Sequence, residues 1–289
     1  MRYTGWMNTK RLAVFGGSGF VGSVLRREAE QRGMELVCFS RSERVGFRIF
    51  RGPGDLDGCG AVVNLAGEPI LGPWTAARRR RIVESRVGGT RRVVEALRGT
   101  QVRTLINASA IGYYGDTGEA EVSEGSPAGD GFLAETCQAW EAAAEGAQGV
   151  RVVRIRIGFV LGDGGAMRLI RPVFQAGLGG NLGSGRQWMS CIHVGDVAGM
   201  ILWALETPAL SGPLNAVMPA PVRNADFTKT LAAAVRRPAI LPAPALALKL
   251  LLGELSRVML DSARVRPDVA VKLGYAFRFP TLATALQTK

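Results

Sequence analysis

Histidine is almost absent: His193 is the only one in 289 residues. The four cysteines, Cys38, Cys59, Cys137 and Cys191, contain no C-x-x-C pair and no short spacing. A zinc centre takes about four nitrogen or sulfur ligands, usually in close pairs, so no metal is expected. A Ser-His-Asp or Cys-His hydrolase would have to use His193, and there is no G-x-S-x-G elbow to carry its nucleophile. Long apolar runs are lacking too. The most apolar stretch, Ala239 to Leu252, is interrupted by Pro242, Pro244 and Lys249, short of the roughly eighteen residues that a membrane span needs. Met1 to Lys10 carries no apolar core of a secretory signal. These absences predict a soluble, reduced, cytoplasmic protein with no membrane span.

What is present is a large apolar fraction, 47%, against 21% charged residues, which excludes disorder. A chain of this length buries about three quarters of its unfolded surface, so its core needs no disulfide. The formal charge is +12 and almost all of the positive charge is arginine. An anionic ligand, a nucleic acid or an acidic membrane surface would each suit that balance.

Short apolar strands alternate with helical patterns along the first half. Leu12 to Phe15, Glu35 to Phe39, Ala61 to Leu65, Val102 to Ala108 and Val150 to Ile157 read as strands. Helices are expected from Val21 to Gly33, Thr75 to Leu97, Asp130 to Glu145 and Val194 to Glu206. This alternation predicts an α/β fold, a doubly wound parallel sheet covered on both faces. After Gly162 the pattern becomes irregular, and a Leu-rich helix from about Ala245 to Leu260 follows. The expected division is a nucleotide-binding domain over 10–165, rejoined by 194–217, with a smaller lobe from 166–193 and 218–289.

Gly16, Gly19 and Gly22 form G-x-x-G-x-x-G between the first strand and the first helix. Such a turn brings the backbone against a pyrophosphate and aims the helix N-terminus at it. Gly16, Gly17, Ser18, Gly19, Phe20, Val21 and Gly22 are therefore expected at a dinucleotide. The end of the second strand selects which one. An NAD site usually places Asp or Glu there, whereas this strand ends Phe39-Ser40-Arg41. A hydroxyl and a guanidinium suit a 2′-phosphate, which predicts NADP(H) as cofactor, with contacts from Ser40 and Arg41.

The words VFGGSGFVG, VVNLAGEPI, ESRVGGTR, SAIGYYGD, FLAETCQAWEAAA, RIGFVLG and GSGRQWMSCIHVGDVAG resemble the extended short-chain dehydrogenase/reductase superfamily. More closely, they resemble its atypical epimerase-like branch, the nucleoside-diphosphate-sugar epimerase-like or SulA-like family with an appended C-terminal segment. The similarity runs from about Arg11 to Leu286. It implies a Rossmann-type sheet, a C-terminal substrate lobe, and further cofactor contacts from Leu65, Ala66, Gly67, Arg86 and Val160. It also implies that Gly179 to Trp188, with Arg186, lines the substrate side.

The chain departs from the superfamily in one respect. Active members carry a Tyr and, four residues on, a Lys on one helix face, where the ammonium lowers the phenol pKa. Aligning on Glu141 puts Leu133 and Cys137 in those places. Ser109 occupies the superfamily's Ser/Thr position and is the candidate donor to a substrate carbonyl, with Tyr113 as candidate proton donor. Cys137 reads as a small core residue and His193 as structural, with Asp196 capping or orienting. Arg78 to Arg81 read as a solvated helix face, since no nucleic-acid module accompanies them. The Leu-rich helix, with Lys249, Glu254 and Arg257, reads as an amphipathic helix of the lobe. The expected function is that of an NADP(H)-dependent oxidoreductase or epimerase-like protein acting on a small molecule. The alternative is a non-catalytic NADP(H) sensor or scaffold working through protein partners, with a role in cell division as one case.

Overall fold

The computed structural model describes residues 11–287; the first ten residues, read above for a secretory signal, lie outside that range. Seven parallel strands make the central sheet. In chain order they are β1 (Arg11–Phe15), β2 (Glu35–Ser40), β3 (Arg48–Ile49), β4 (Ala61–Asn64), β5 (Thr104–Ala110), then, after the short β6 (Glu121–Val122), β7 (Arg151–Ile157). The seventh, β11 (Gly212–Ala216), arrives after β8 (Phe159–Leu161), β9 (Trp188–Met189) and β10 (Cys191–His193). The spatial order is β11-β7-β5-β4-β1-β2-β3. The order reverses at β1, which pairs with β2 on one side and β4 on the other, and a ligand crevice opens at that switch.

The inner strands are buried on both faces, so they are apolar almost throughout. Along β1 the alternation still assigns sides. Leu12 and Val14 pack with Val24 and Leu25 of α1 (Phe20–Gln31) and with Val197 and Ile201 of α6 (Val194–Glu206). Ala13 and Phe15 face the other layer, with Val93 of α3 (Gly89–Ala96) and Ala144 of α4 (Phe132–Glu145). The long basic helix expected from Thr75 to Leu97 is α2 (Ala76–Val83), a π-helical turn at Glu84–Gly88, and α3.

Three local expectations change. The irregular stretch after Gly162 holds a helix, α5 (Met167–Gln175), which accommodates Pro172. The Leu-rich helix stops early: α8 (Ala245–Leu252) ends at Gly253, whose φ of 56° breaks the run before a 3-10 turn and α9 (Arg257–Leu260). The side of α8 expected to face the lobe is only half-buried, at Ala245, Ala247, Leu248 and Leu252, and no residue of this helix is fully buried. Before it lie β12 (Val222–Arg223) and α7 (Asn224–Val235), and after α9 come β13 (Arg264–Val265), α10 (Asp268–Lys272) and α11 (Leu282–Leu286). No helix among the described residues is long and apolar enough to cross a membrane.

A buried carboxylate fastens the C-terminal segment to the sheet layer. Asp196, fully buried in α6, accepts hydrogen bonds from the backbone N–H groups of Arg278 (2.8 Å) and Phe279 (2.9 Å) and from the Tyr275 hydroxyl (3.2 Å). His193 caps the same helix, its Nδ1 accepting from the Gly195 N–H at 3.1 Å while its ring lies 3.9 Å from that of Phe279. Burial lowers the His193 pKa, with Asp196 and Asp163 opposing that shift and Arg278 adding to it. The unfolded chain therefore takes up this proton more readily than the native one. The native state loses stability as pH falls through the unfolded value of about 6.5. Because this is the only histidine, the urea midpoint between pH 7.5 and 5.5 should fall more in the wild type than in His193→Asn. Equal falls would remove His193 as the cause.

Candidate active site

Between β1 and α1 the chain turns so tightly that two glycines admit no side chain. At Gly16, with φ of 78°, a Cβ would stand 2.6 Å from the Leu65 carbonyl carbon; at Gly22 it would stand 2.3 Å from the Gly16 oxygen. Both obstacles are backbone, so neither can yield. The result is an exposed strand-to-helix turn beneath a cleft of about 1460 Å³.

Eight of the residues expected at the cofactor line that cleft: Gly16, Ser18, Gly19, Ser40, Arg41, Leu65, Ala66 and Gly67. Gly17 and Gly22 lie behind the turn and set its shape. The Phe20 ring turns away from the cleft to pack over Gly162, Gly164 and Gly165. Val21 is half-buried in the first turn of α1, and Val160 sits in β8 opposite Ile192. Arg86 rises from the π-helical turn. Its Nη1 donates to the Glu68 carbonyl at 2.9 Å, its guanidinium lies 5.1 Å over the Trp140 ring, and a Cβ on Gly67 would be 3.3 Å from its Cζ. Burial lowers the Arg86 pKa.

Arg44, Arg51, Arg80, Arg81 and Arg92 line the same cleft. Sequence alone does not place them there, and for Arg80 and Arg81 the expected solvated helix face is the rim of the cleft. The rest of that basic run is engaged: Arg78 donates to the carbonyls of Pro69 (2.9 Å) and Leu71 (2.6 Å), and Arg79 pairs with Glu254.

The other end of the site is organised by a buried polar network. Glu141 of α4 and Arg156 of β7, each 3% exposed, meet through two parallel hydrogen bonds of 2.8 Å. Burial, the largest single influence, works against the Arg156 charge, but its hydrogen bonds to Glu141 and Tyr114 together with their charges outweigh it, and its pKa stands above the usual value. Arg156 Nη1 also donates to the Tyr114 hydroxyl at 2.8 Å, which in turn donates to Asn215 Oδ1 at 2.8 Å. Burial pushes the Tyr114 phenol up to about 12.

Ser109 belongs to this network. Its Oγ donates to Glu141 Oε1 at 2.6 Å, and the residue is buried. In this structure the Ser109 hydroxyl is turned toward this buried carboxylate. Tyr113 is half-buried, its ring 3.5 Å beneath the Arg156 guanidinium, and its phenol makes no hydrogen bond among the described residues. Leu133 and Cys137 come together against Gly112, whose Cβ would be 3.4 Å from Leu133 Cβ and 4.0 Å from Cys137 Sγ. Burial first, then the Glu141 charge, pushes the Cys137 thiol up to about 11. This face of α4 offers an aliphatic chain and a neutral thiol.

Residues 12–216 match the NAD dependent epimerase/dehydratase family, and residues 243–288 match a domain of unknown function, DUF1731. The chain belongs to that epimerase/dehydratase family. It is 38% identical over 296 residues to the epimerase family protein SDR39U1 homolog, chloroplastic, of Arabidopsis thaliana, covering 96% of this chain and 85% of that protein. It is 36% identical over 289 residues to the human epimerase family protein SDR39U1, covering 96% and 98%. The crystal structure of human SDR39U1 (isoform 2) with NADPH superposes with a TM-score of 0.90 at 34% identity, over 96% of this chain and 98% of that one. A nucleoside-diphosphate sugar epimerase from Corynebacterium glutamicum superposes at 0.80 and 34% identity, over 96% of this chain and 57% of that one.

The thiols give a direct test of this geometry. All four cysteines are buried, and burial raises the pKa of Cys38, Cys59, Cys137 and Cys191 alike. Native protein at pH 8 should therefore react with none of its thiols rapidly in a disulfide-exchange assay, and with all four in denaturant. A fast native thiol mapped to Cys137 would contradict its placement.

Proposed function

We propose that this protein binds NADP(H) in the cleft above the glycine turn and acts as an oxidoreductase or epimerase on an unidentified small molecule. The observation that carries this reading is the charge at the end of β2. Ser40 and Arg41 stand where an acid would hold a ribose hydroxyl, and the arginines of α2 and of the segment after β2 flank them. A guanidinium can hold a 2′-phosphate through two charge-assisted hydrogen bonds. The Gly16 and Gly22 positions leave a cradle that backbone N–H groups can offer to a pyrophosphate. The NADPH seen with the human relative supports the same cofactor. When bound, NADP(H) supplies or accepts hydride.

The remaining steps fall to this chain's residues. Arg86, fixed by Glu68 and Trp140, is assigned to the cofactor on its position against Gly67 of the cleft wall. Ser109, Glu141 and Arg156 position the loop after β5. Tyr113, whose phenol makes no hydrogen bond among the described residues, is the proton donor. The division into a nucleotide-binding domain over 10–165 and 194–217 and a substrate lobe from the remainder belongs to this proposal, supported by the return of β11 to the sheet. The second reading, a non-catalytic NADP(H)-binding scaffold, is favoured by one observation: Leu133 and Cys137 occupy the helix face where phenol and ammonium would act.

Fluorescence titration should show NADPH binding more tightly than NADH. Arg41→Ala should weaken NADPH by about 1.5–3 kcal/mol, tenfold or more, as expected for lost hydrogen bonds to a charged group. Binding of neither nucleotide would end the reading. With a panel of carbonyl compounds, NADPH oxidation should be lost in Tyr113→Phe at unchanged NADPH affinity. No turnover with any compound would favour the scaffold.

A further inference from the structure

We propose that residues 164–183 and 227–253 form one face that docks on an anionic phospholipid surface. The two segments are joined by hydrogen bonds: Leu241 N–H to the Gly179 carbonyl (3.1 Å), Ala243 N–H to Asn181 (2.8 Å) and Gly183 N–H to Ala243 (2.8 Å). Val173, whose carbonyl accepts from the Leu178 N–H, continues the surface onto α5.

This face is apolar where water reaches it. Leu178, Ile240 and Leu241 are exposed on the joined segments, Ile240 by 75%. The adjoining α8 buries none of its residues, and Leu246, Leu250 and Leu251 are 69%, 78% and 82% exposed. Scattered leucines on a surface need no explanation, but a contiguous set of this kind marks an interaction site.

The same two segments carry Arg168, Arg171, Lys229, Arg236, Arg237 and Lys249 and no Asp or Glu within their bounds, the nearest acids being Asp163, Asp226 and Glu254 at their ends. Of these, Arg171 pairs with Asp163 at 3.0 Å, and Lys249 acts on the charge of Asp261. Glu254, just beyond α8, is taken up by Arg79. Leucines interleaved with basic residues, and no acid among them, match the chemistry of an anionic leaflet, where apolar insertion and charge attraction reinforce each other. A second copy of the chain fits poorly. A two-fold interface would bring this basic face against itself. The eight residues of α8 are too few to span a bilayer, so the contact is superficial and reversible.

The test is co-sedimentation of the full chain with vesicles of phosphatidylcholine alone and of phosphatidylcholine containing about 30% phosphatidylglycerol. The protein should bind the mixed vesicles and not the neutral ones, and less at high salt. Leu250→Gln with Leu251→Gln should lower binding by about tenfold or more, at unchanged melting temperature. Arg91→Gln with Arg98→Gln, which removes two positive charges from exposed positions at and just beyond α3, should leave binding nearly intact. Absence of binding to mixed vesicles would overturn the proposal. So would binding that the leucine variant keeps and the arginine variant loses, since that is adhesion by net charge alone. Self-association of the wild type, abolished in the leucine variant without any vesicle binding, would assign the face to a second copy instead.

Discussion

A carboxylate and a guanidinium with almost no access to water, Glu141 and Arg156, meet edge to edge inside this protein, and the upper end of the sheet is organised around them. Removing two charges from water costs several kcal/mol per ion, which only close geometry and full hydrogen bonding offset. Here both are met. Glu141 receives Arg156 and the Ser109 hydroxyl; Arg156 reaches on to Tyr114 and to the Glu124 carbonyl. Glu124 then accepts from the Asn215 N–H at 3.0 Å. One network thus ties α4, β5, β7, β11 and the 3-10 turn Ile111–Tyr114.

That network explains the character of α4. Its inward face serves architecture through Glu141, and the positions nearest the loop after β5 carry Leu133 and Cys137, which offer neither a base nor a cation at neutral pH. Tyr113 lies against the Arg156 guanidinium, and its phenol makes no hydrogen bond among the described residues. The cofactor end depends on a different constraint, the contact of backbone on backbone at Gly16 and Gly22. The two ends are connected through β4 and β5, where Asn64 Nδ2 donates to Asn107 Oδ1 at 2.7 Å and to Thr90 at 2.9 Å.

Much of this was legible in the chain. Strand and helix periods are local, so the β-α-β order and the glycine turn could be read directly, as could Ser40 and Arg41 at the end of β2. Other features depend on distance. Arg80 and Arg81 are ordinary basic residues of a helix until the loop after β4 swings that helix over the cleft. The helix α5 was hidden by Pro172 and its glycine-rich flanks, and the end of α8 by Gly253, whose left-handed conformation no local pattern demanded. The ion pair joins residues fifteen apart, and Ser109 joins it from thirty-two residues away. Its signal was an arginine inside an apolar strand, which in a sheet covered on both faces must find a buried partner, and a glutamate amid the alanines of α4.

The measurement that tests this account most directly is a double-mutant cycle on Arg156→Leu and Glu141→Leu, with unfolding free energy and NADPH affinity read on each variant. Each single substitution should cost about 3–5 kcal/mol, and the double variant should recover part of that loss, because neither charge is then left buried alone. NADPH affinity should change little in whatever fraction is folded. Single variants of wild-type stability that fail to bind NADPH would contradict the account, and would place the pair at the cofactor rather than in the frame that supports it.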